Sequence, residues 1–199
     1  MSDLHVRLMG VACARGGRML FRHVDLTAEP GQAVLLHGPN GIGKSSLLRI
    51  CAGLLPAYAG SVERQGKIAL VDERLALDGE LPLRKALAFW AHIDGVGPDR
   101  LDAALEAMAL APLAKLPVRM LSTGQRKGAA LARVIASGAD IWLLDEPANG
   151  LDDASLELLG AAVEAHRGRG GILIAASHQP LPMAMTGGVD LAAHAAEDA

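Results

Sequence analysis

The stretch Gly38-Pro39-Asn40-Gly41-Ile42-Gly43-Lys44-Ser45-Ser46 fits the phosphate-cradling pattern G-x-x-x-x-G-K-[ST]. Glycines at three of its positions let the backbone curl so that N–H groups point inward, and the helix N-terminus that follows already favours anions. Lys44 would reach the outer phosphates of a nucleotide, and the Ser45 hydroxyl would ligate Mg²⁺. A second acidic stretch fits the same chemistry. The apolar run Ile141-Trp142-Leu143-Leu144 ends in Asp145-Glu146-Pro147. At the carboxyl edge of a parallel strand, Asp145 would hold Mg²⁺ beside Ser45, and Glu146 would polarise a water for attack on a γ-phosphate. The third stretch is Leu121-Ser122-Thr123-Gly124-Gln125. Ser122 and Gln125 form a Ser-x-x-Gln capping box, which reads either as a well-capped helix or as a second phosphate site at a helix N-terminus. Spacing alone does not choose between them.

The elements that must position these residues are legible in outline. Ala33-Val34-Leu35-Leu36 is a short buried-strand run before the phosphate loop. Leu47, Leu48, Ile50 and Cys51 give helical spacing after it, with Gly53 and Pro56 as stop signals. Leu4, Val6 and Leu8 alternate with polar residues, and Gly16-Gly17 turns the chain into a return strand over 19–26, so the opening is antiparallel in character. A short extended segment follows at 61–64 and an apolar strand at 68–71. From Leu81 to about Leu116 the spacing is helical, broken at Gly95-Val96-Gly97-Pro98; Phe89, Trp90 and Met108 read as core. Helices are expected after Ser122, with Ala129, Ala130, Leu131, Val134 and Ile135 inward, and from Asp153 to about His166. A last strand covers 172–176, and the tail from Thr186 is expected to fray. The expected fold is therefore an α/β P-loop domain with an antiparallel β portion and a helical insertion. It is one domain over 1–199, with a core of about 1–75 and 125–199 and a helical subdomain at 78–124.

Composition narrows the function classes. The chain has 199 residues, 51% hydrophobic but only 3% aromatic, so aliphatic side chains and alanine must fill one core. A formal net charge of −3 argues against a general nucleic-acid surface, and no heptad segment or basic arm supports a role on DNA. Cys13 and Cys51 make a poor disulfide framework; Cys51 reads as a buried reduced thiol. The N-terminus lacks the build of a signal peptide, and no window approaches the roughly 18 apolar residues of a membrane span. Work at a membrane is expected to be done from its surface, through partners. His5, His23, His92, His166 and His194 read as ordinary strand-end residues; His178 alone is placed just past a buried strand with chemistry nearby.

The order of motifs carries a resemblance. The phosphate loop, Leu121 to Gln125, the strand ending in Asp145-Glu146-Pro147, Asn149-Gly150-Leu151-Asp152 and His178 follow one another as in ATP-binding cassette (ABC) ATPases, over nearly the whole chain. More narrowly, the chain resembles the haem-exporter cassette subunits of cytochrome c maturation. The residues that suggest this are Gly16 to Phe21, Ala88-Phe89-Trp90, Pro117 to Gln125 and Ser177-His178-Gln179-Pro180-Leu181. The resemblance implies that Gly38 through Ser46 cradle ATP, that Ser45 and Asp145 serve Mg²⁺, that Glu146 is the catalytic base and that His178 contacts the γ-phosphate. It further implies that Ser122, Gly124 and Gln125 close over ATP held by a second copy in a head-to-tail dimer, with Asp152 in a loop that communicates across it. The implied partners are integral membrane subunits of CcmB-like, and further CcmC-like, type, on the cytoplasmic face of the inner membrane, with no nucleic acid. The rival readings are an exporter subunit with another cargo and a slow ATP-dependent binding switch. A small-molecule kinase would leave Leu121 to Gln125 without a role.

Two departures from the family pattern stand out. Where cassettes usually carry a Gln after the strand at 68–71, this chain reads Asp72-Glu73-Arg74. Asp72 or Glu73 could act as an oxygen ligand, but an anion beside a γ-phosphate is repulsive unless Mg²⁺ or Arg74 screens it. Cassettes usually also stack adenine on an aromatic near the first turn. Here that segment is Ala12 to Gly16, and Arg15 is the candidate to stack its guanidinium plane on the base.

Overall fold

The computed structural model describes residues 4–72 and 76–196, so the expectations for Glu73 and Arg74 lie outside the described residues. In chain order its elements are β1 (His5–Arg15), β2 (Arg18–Ala28), β3 (Ala33–His37), α1 (Lys44–Cys51), β4 (Ala59–Gln65), β5 (Ile68–Val71), α2 (Leu83–Asp94) and α3 (Pro98–Ala107). They continue with α4 (Thr123–Ser137), β6 (Ile141–Asp145), α5 (Asp153–Gly168), β7 (Ile172–Ala176) and β8 (Gly187–Asp190). The opening strands form an antiparallel sheet ordered β2-β1-β4, and the others a parallel sheet ordered β5-β6-β7-β3-β8.

Alternation along the central strands sorts the core into two layers. On β6 and β7, Trp142, Leu144, Leu173 and Ala175 pack with α2 to α5. Ile141, Leu143, Ile172 and Ile174 face the other way, toward α1 and the antiparallel sheet. Successive side chains on a strand point to opposite faces, so a strand buried on both sides reads as a continuous apolar run, as β7 does and β6 does up to Asp145 at its end.

The helical layer departs from the expected core in one place. α2 buries Leu83, Ala86, Leu87 and Ala91, a stripe at three- and four-residue spacing. Phe89 falls off that stripe and is 59% exposed, so it is not core. Met108 is buried, and Trp90 is half-buried with the Arg133 guanidinium 3.9 Å above its ring. α4 packs against both α2 and α3 and reaches β5 and α5 as well.

The tail does not fray over the described residues. β8 pairs in parallel with β3, and Leu191 after it is fully buried. The Thr186 hydroxyl accepts from the Ala33 N–H at 3.0 Å and donates to the Ala33 carbonyl at 3.1 Å, pinning the start of β8. Strand pairing here runs through backbone groups, which a Gly-rich segment supplies without any side-chain signature. Thr186→Val keeps the shape and removes both side-chain bonds, so it is expected to lower unfolding free energy by about 1–2 kcal/mol in urea titrations. An unchanged midpoint would show that backbone pairing alone holds β8.

Both cysteines are buried and free, and burial pushes the Cys51 thiol up to about 12, where it stays protonated and unreactive. His92, His166 and His194 are not strand-end residues, because they lie in helices, and His23 lies inside β2 instead of at its end. His166 is buried, with Nε2 3.2 Å from the Ile172 carbonyl and its ring stacked 4.0 Å from that of Trp142. Desolvation holds its pKa below the usual imidazole range, so it is a neutral core residue.

Candidate nucleotide site

All pairings in the larger sheet are parallel, so the chain leaves β3, β5, β6 and β7 along one edge. That edge gathers the loop from Gly38 to Gly43, then Asp72, Asp145-Glu146 and Ser177-His178. In the loop, Gly38, Gly41 and Gly43 have φ of +133°, +81° and +114°, a region that side-chain-bearing residues rarely adopt. Gly43 is the most constrained. It is the N-cap of α1, and a Cβ there would sit 2.9 Å from the Phe21 ring. No side chain caps the helix, so its first N–H groups remain available to an anion. The Ile42 N–H donates to the Pro39 carbonyl at 3.3 Å and closes the turn.

Lys44 is 6% exposed. Its Nζ donates to the Gly38 carbonyl at 2.8 Å and the Pro39 carbonyl at 3.3 Å, and lies 4.0 Å from Glu146 Oε1. The loop thus holds its own cation in the mouth of a cleft of about 350 Å³, whose lining includes Asn40, Lys44, Ser45, Ser46, Glu146 and His178. Glu146 has φ +45°, a local strain that its backbone N–H bond to the Ala176 carbonyl at 2.8 Å helps to hold. Glu146 Oε2 receives His178 Nδ1 at 2.8 Å, with the His178 backbone N–H at 3.4 Å. The two side chains singled out as base and γ-phosphate contact therefore meet each other, with Nδ1 of the imidazole facing the carboxylate.

Asp145 is 4% exposed at the end of β6, and its backbone carbonyl receives Lys127 Nζ at 3.1 Å. With Ser45 in the first turn of α1, it offers a hydroxyl and a carboxylate on the same sheet edge, the hard-oxygen donors Mg²⁺ takes beside phosphate. Among the described residues no three His, Cys, Asp or Glu side chains converge into a cage. A cation here would therefore complete its shell with phosphate and water oxygens.

Ser122 is the N-cap of α4, and both bonds of the capping box form: the Gln125 N–H donates to Ser122 Oγ at 3.2 Å, and the Ser122 N–H to Gln125 Oε1 at 2.9 Å. Gly124 lies against the loop before α5, where a Cβ would come within 2.7 Å of the Gly150 carbonyl oxygen. Asp152 caps α5 through the Ser155 N–H at 2.9 Å, and the Ser155 bonds hold its carboxyl below the usual range. Ser122, Gly124, Gln125 and Asp152 line a cavity of about 420 Å³ that shares no lining residue with the phosphate cleft. Within one chain the two spaces are therefore separate.

Arg15 is exposed at the end of β1 and does not line the cleft; Leu20 does. Sequence reading missed Leu20, Asn149 and Arg49. Asn149 sits within the quoted Asn-Gly-Leu-Asp stretch, whereas Arg49 carried no signal beyond helical spacing. Its Nη2 lies 3.1 Å from Asp72 Oδ2.

Residues 21–149 match the family described as ABC transporter. The chain belongs to the ABC transporter family. The cassette is also similar to the "Cytochrome c biogenesis ATP-binding export protein CcmA" of Sphingopyxis alaskensis, at 57% identity over 171 residues, 86% of this chain and 88% of the relative. The protein of the same name from Novosphingobium aromaticivorans is 58% identical over 173 residues, 87% of this chain and 88% of the relative. Among solved structures, an ABC transporter ATP-binding protein from Pyrococcus furiosus superposes with a TM-score of 0.85 at 23% identity, covering 96% of this chain and all (100%) of that one. An ATP-binding subunit of another ABC transporter gives 0.79 at 22% identity, with 87% and 79% coverage. The cassette has the expected α/β fold with its antiparallel portion, and it is an ABC-type ATPase whose nucleotide is ATP.

Proposed function

We propose that this cassette is the ATP-hydrolysing subunit of an exporter for c-type cytochrome biogenesis, with haem as the cargo handled by its membrane subunits. The observation that carries the ATPase half is the separation of the phosphate cleft from the cavity around Ser122 and Gly124 within one chain. Two copies arranged head to tail would bring the cavity of one over the cleft of the other, with ATP between them. The biogenesis role rests on similarity to the two export proteins above, which extends over most of both chains.

In this reading the loop N–H groups and Lys44 hold the β- and γ-phosphates. Ser45 and Asp145 hold Mg²⁺, which neutralises phosphate charge when bound. Glu146 orients the attacking water and accepts its proton, while His178 fixes the carboxylate and turns toward the γ-phosphate once ATP enters. Ser122 and Gly124 of the second copy cover the phosphates, and Gln125 keeps Ser122 in place. Arg15, exposed at the end of β1 and outside the cleft lining, would stack on the base only where the base extends beyond that cleft. The helical subdomain at 78–124 packs on α4 through α2 and α3. No helix among the described residues is long and apolar enough to cross a membrane. Attachment would therefore be to CcmB-like membrane subunits, with CcmC-like ones further on, at the cytoplasmic face of the inner membrane.

The test is haem staining of c-type cytochromes in the source cell carrying Lys44→Ala or Glu146→Gln at the native locus. Loss of covalently haem-loaded cytochromes, with the cassette at its normal level, is the expected result. Normal staining in both mutants would assign the cassette to another cargo.

A further inference from the structure

A loop that holds three glycines at positive φ is costly to order, because glycine gives up more backbone freedom than any other residue. Gly38, Gly41 and Gly43 stand at such angles, and the first and last of them are each packed from behind. β8 runs beside β3 to the same level, with Asp190 opposite His37, and the phosphate loop starts one residue later. After β8 the chain turns into a short 3-10 helix (Leu191–His194), capped by Asp190 Oδ1, which accepts the Ala192 N–H at 2.9 Å. This turn backs Gly38. A Cβ there would lie 3.5 Å from the Ala192 nitrogen and 3.7 Å from Asp190 Oδ1. Leu191 is fully buried in the same core layer as Phe21, Leu36 and Leu47, and the turn packs against β2 and β3.

The chain then crosses to β2. Ala195 pairs with Phe21 in an antiparallel bridge, and the Ala196 N–H donates to the Leu20 carbonyl at 3.4 Å. His194 Nδ1 lies 3.3 Å from the Arg22 carbonyl. Leu20 and Phe21 are the residues that meet the other end of the loop. A Cβ on Gly43 would come within 2.9 Å of the Phe21 ring and 3.3 Å of Leu20 Cδ1, and Leu20 also lines the cleft. Residues 190–196 thus stand behind the loop directly at Gly38 and, through two side chains of β2, at Gly43.

We propose that residues 190–196 are a brace for the phosphate loop, with Leu191 and Ala196 as its positioning residues. They keep Leu20 and Phe21 seated on Gly43 and back Gly38, so that the loop meets its ligand already curled, an inference that rests on ATP occupying the phosphate-loop cleft. A loop ordered in advance loses less freedom on binding, so loosening the brace weakens ATP without removing any phosphate-binding group.

Three full-chain variants test this by equilibrium ATP binding and by amide hydrogen exchange, read over 38–46 and over α5 as a distant reference. Ala196→Pro removes the N–H that reaches Leu20 and takes nothing from the core. Ala195, at φ −57° and ψ 137°, already has an extended backbone that tolerates a following proline. Ala196→Gly keeps the N–H, and Leu191→Ala empties the buried anchor. Expected for Ala196→Pro is an ATP Kd raised about two- to fivefold, the span of one modest hydrogen bond. Exchange in the loop should quicken while exchange in α5 stays unchanged. Leu191→Ala should exceed both effects, and Ala196→Gly should match wild type. Coupling is reciprocal, so ATP should slow exchange at 190–196 in the wild type. In Ala196→Pro, an unchanged Kd, or exchange that quickens alike in the loop and in α5, would overturn the inference, as would wild-type exchange at 190–196 indifferent to ATP. Failure of the wild type to bind ATP would sink the nucleotide reading of the cleft, while loop exchange without nucleotide would still decide the brace.

Discussion

Glu146→Gln is expected to lower kcat for ATP hydrolysis by about 10²–10⁴-fold, the range a positioned general base contributes. ATP binding should survive. Glutamine keeps the length of the side chain and an oxygen for His178 Nδ1, which sits 2.8 Å from Glu146 Oε2. What it loses is the negative charge that can take a proton from water. That charge lies 4.0 Å from Lys44 Nζ, so its removal also leaves Lys44 freer to meet phosphate, and affinity should hold or tighten. Single-turnover phosphate release, run beside equilibrium ATP binding, separates the two effects. Because ATP closes the proposed head-to-tail dimer and hydrolysis reopens it, the variant should also accumulate as an ATP-bound dimer on size exclusion. A phosphate-release rate equal to wild type would remove Glu146 from the chemistry and favour a slow ATP-dependent switch.

The parts of the site that were legible beforehand are those whose partners are close in sequence. The phosphate loop announces itself because its glycines must adopt positive φ within six residues, and Gly38, Gly41 and Gly43 do so. The Ser122–Gln125 capping box was equally local, and both of its bonds are present. Contacts that span the sheet were not legible. Glu146 and His178 were each singled out, yet nothing in the linear order shows that they bond to one another, because their meeting depends on β6 and β7 being neighbours. Arg49 and Asp72 meet for a similar reason, through the packing of α1 against the sheet. Phe89 misled because its residue type suggested core while its position on the α2 helix pointed outward. The segment from Gly187 to Asp190 misled in the opposite sense, since backbone pairing to β3 needs no apolar side chain to announce it.

Lys44→Ala is expected to raise the Kd for ATP by about 10–100-fold, the span of one or two lost hydrogen bonds to a charged group. The size follows from where the ammonium sits. It is 6% exposed, so its interaction with phosphate would be little screened by water, and it is already aimed into the cleft by the Gly38 and Pro39 carbonyls. Stability should suffer far less than binding. Gly38 is half-buried and Pro39 is exposed, so water can take over the carbonyls that Lys44 leaves. Lys44→Arg is not expected to rescue binding. A planar, broader guanidinium must displace one of the two loop carbonyls to enter the same slot, and the loop cannot yield easily while Gly43 abuts the Phe21 ring. Nucleotide titration of both variants beside thermal unfolding checks the separation. A large fall in melting temperature for Lys44→Ala would mean that the lysine is chiefly a buried strut of the loop, and its loss of ATP would then report a collapsed cradle instead of a missing charge.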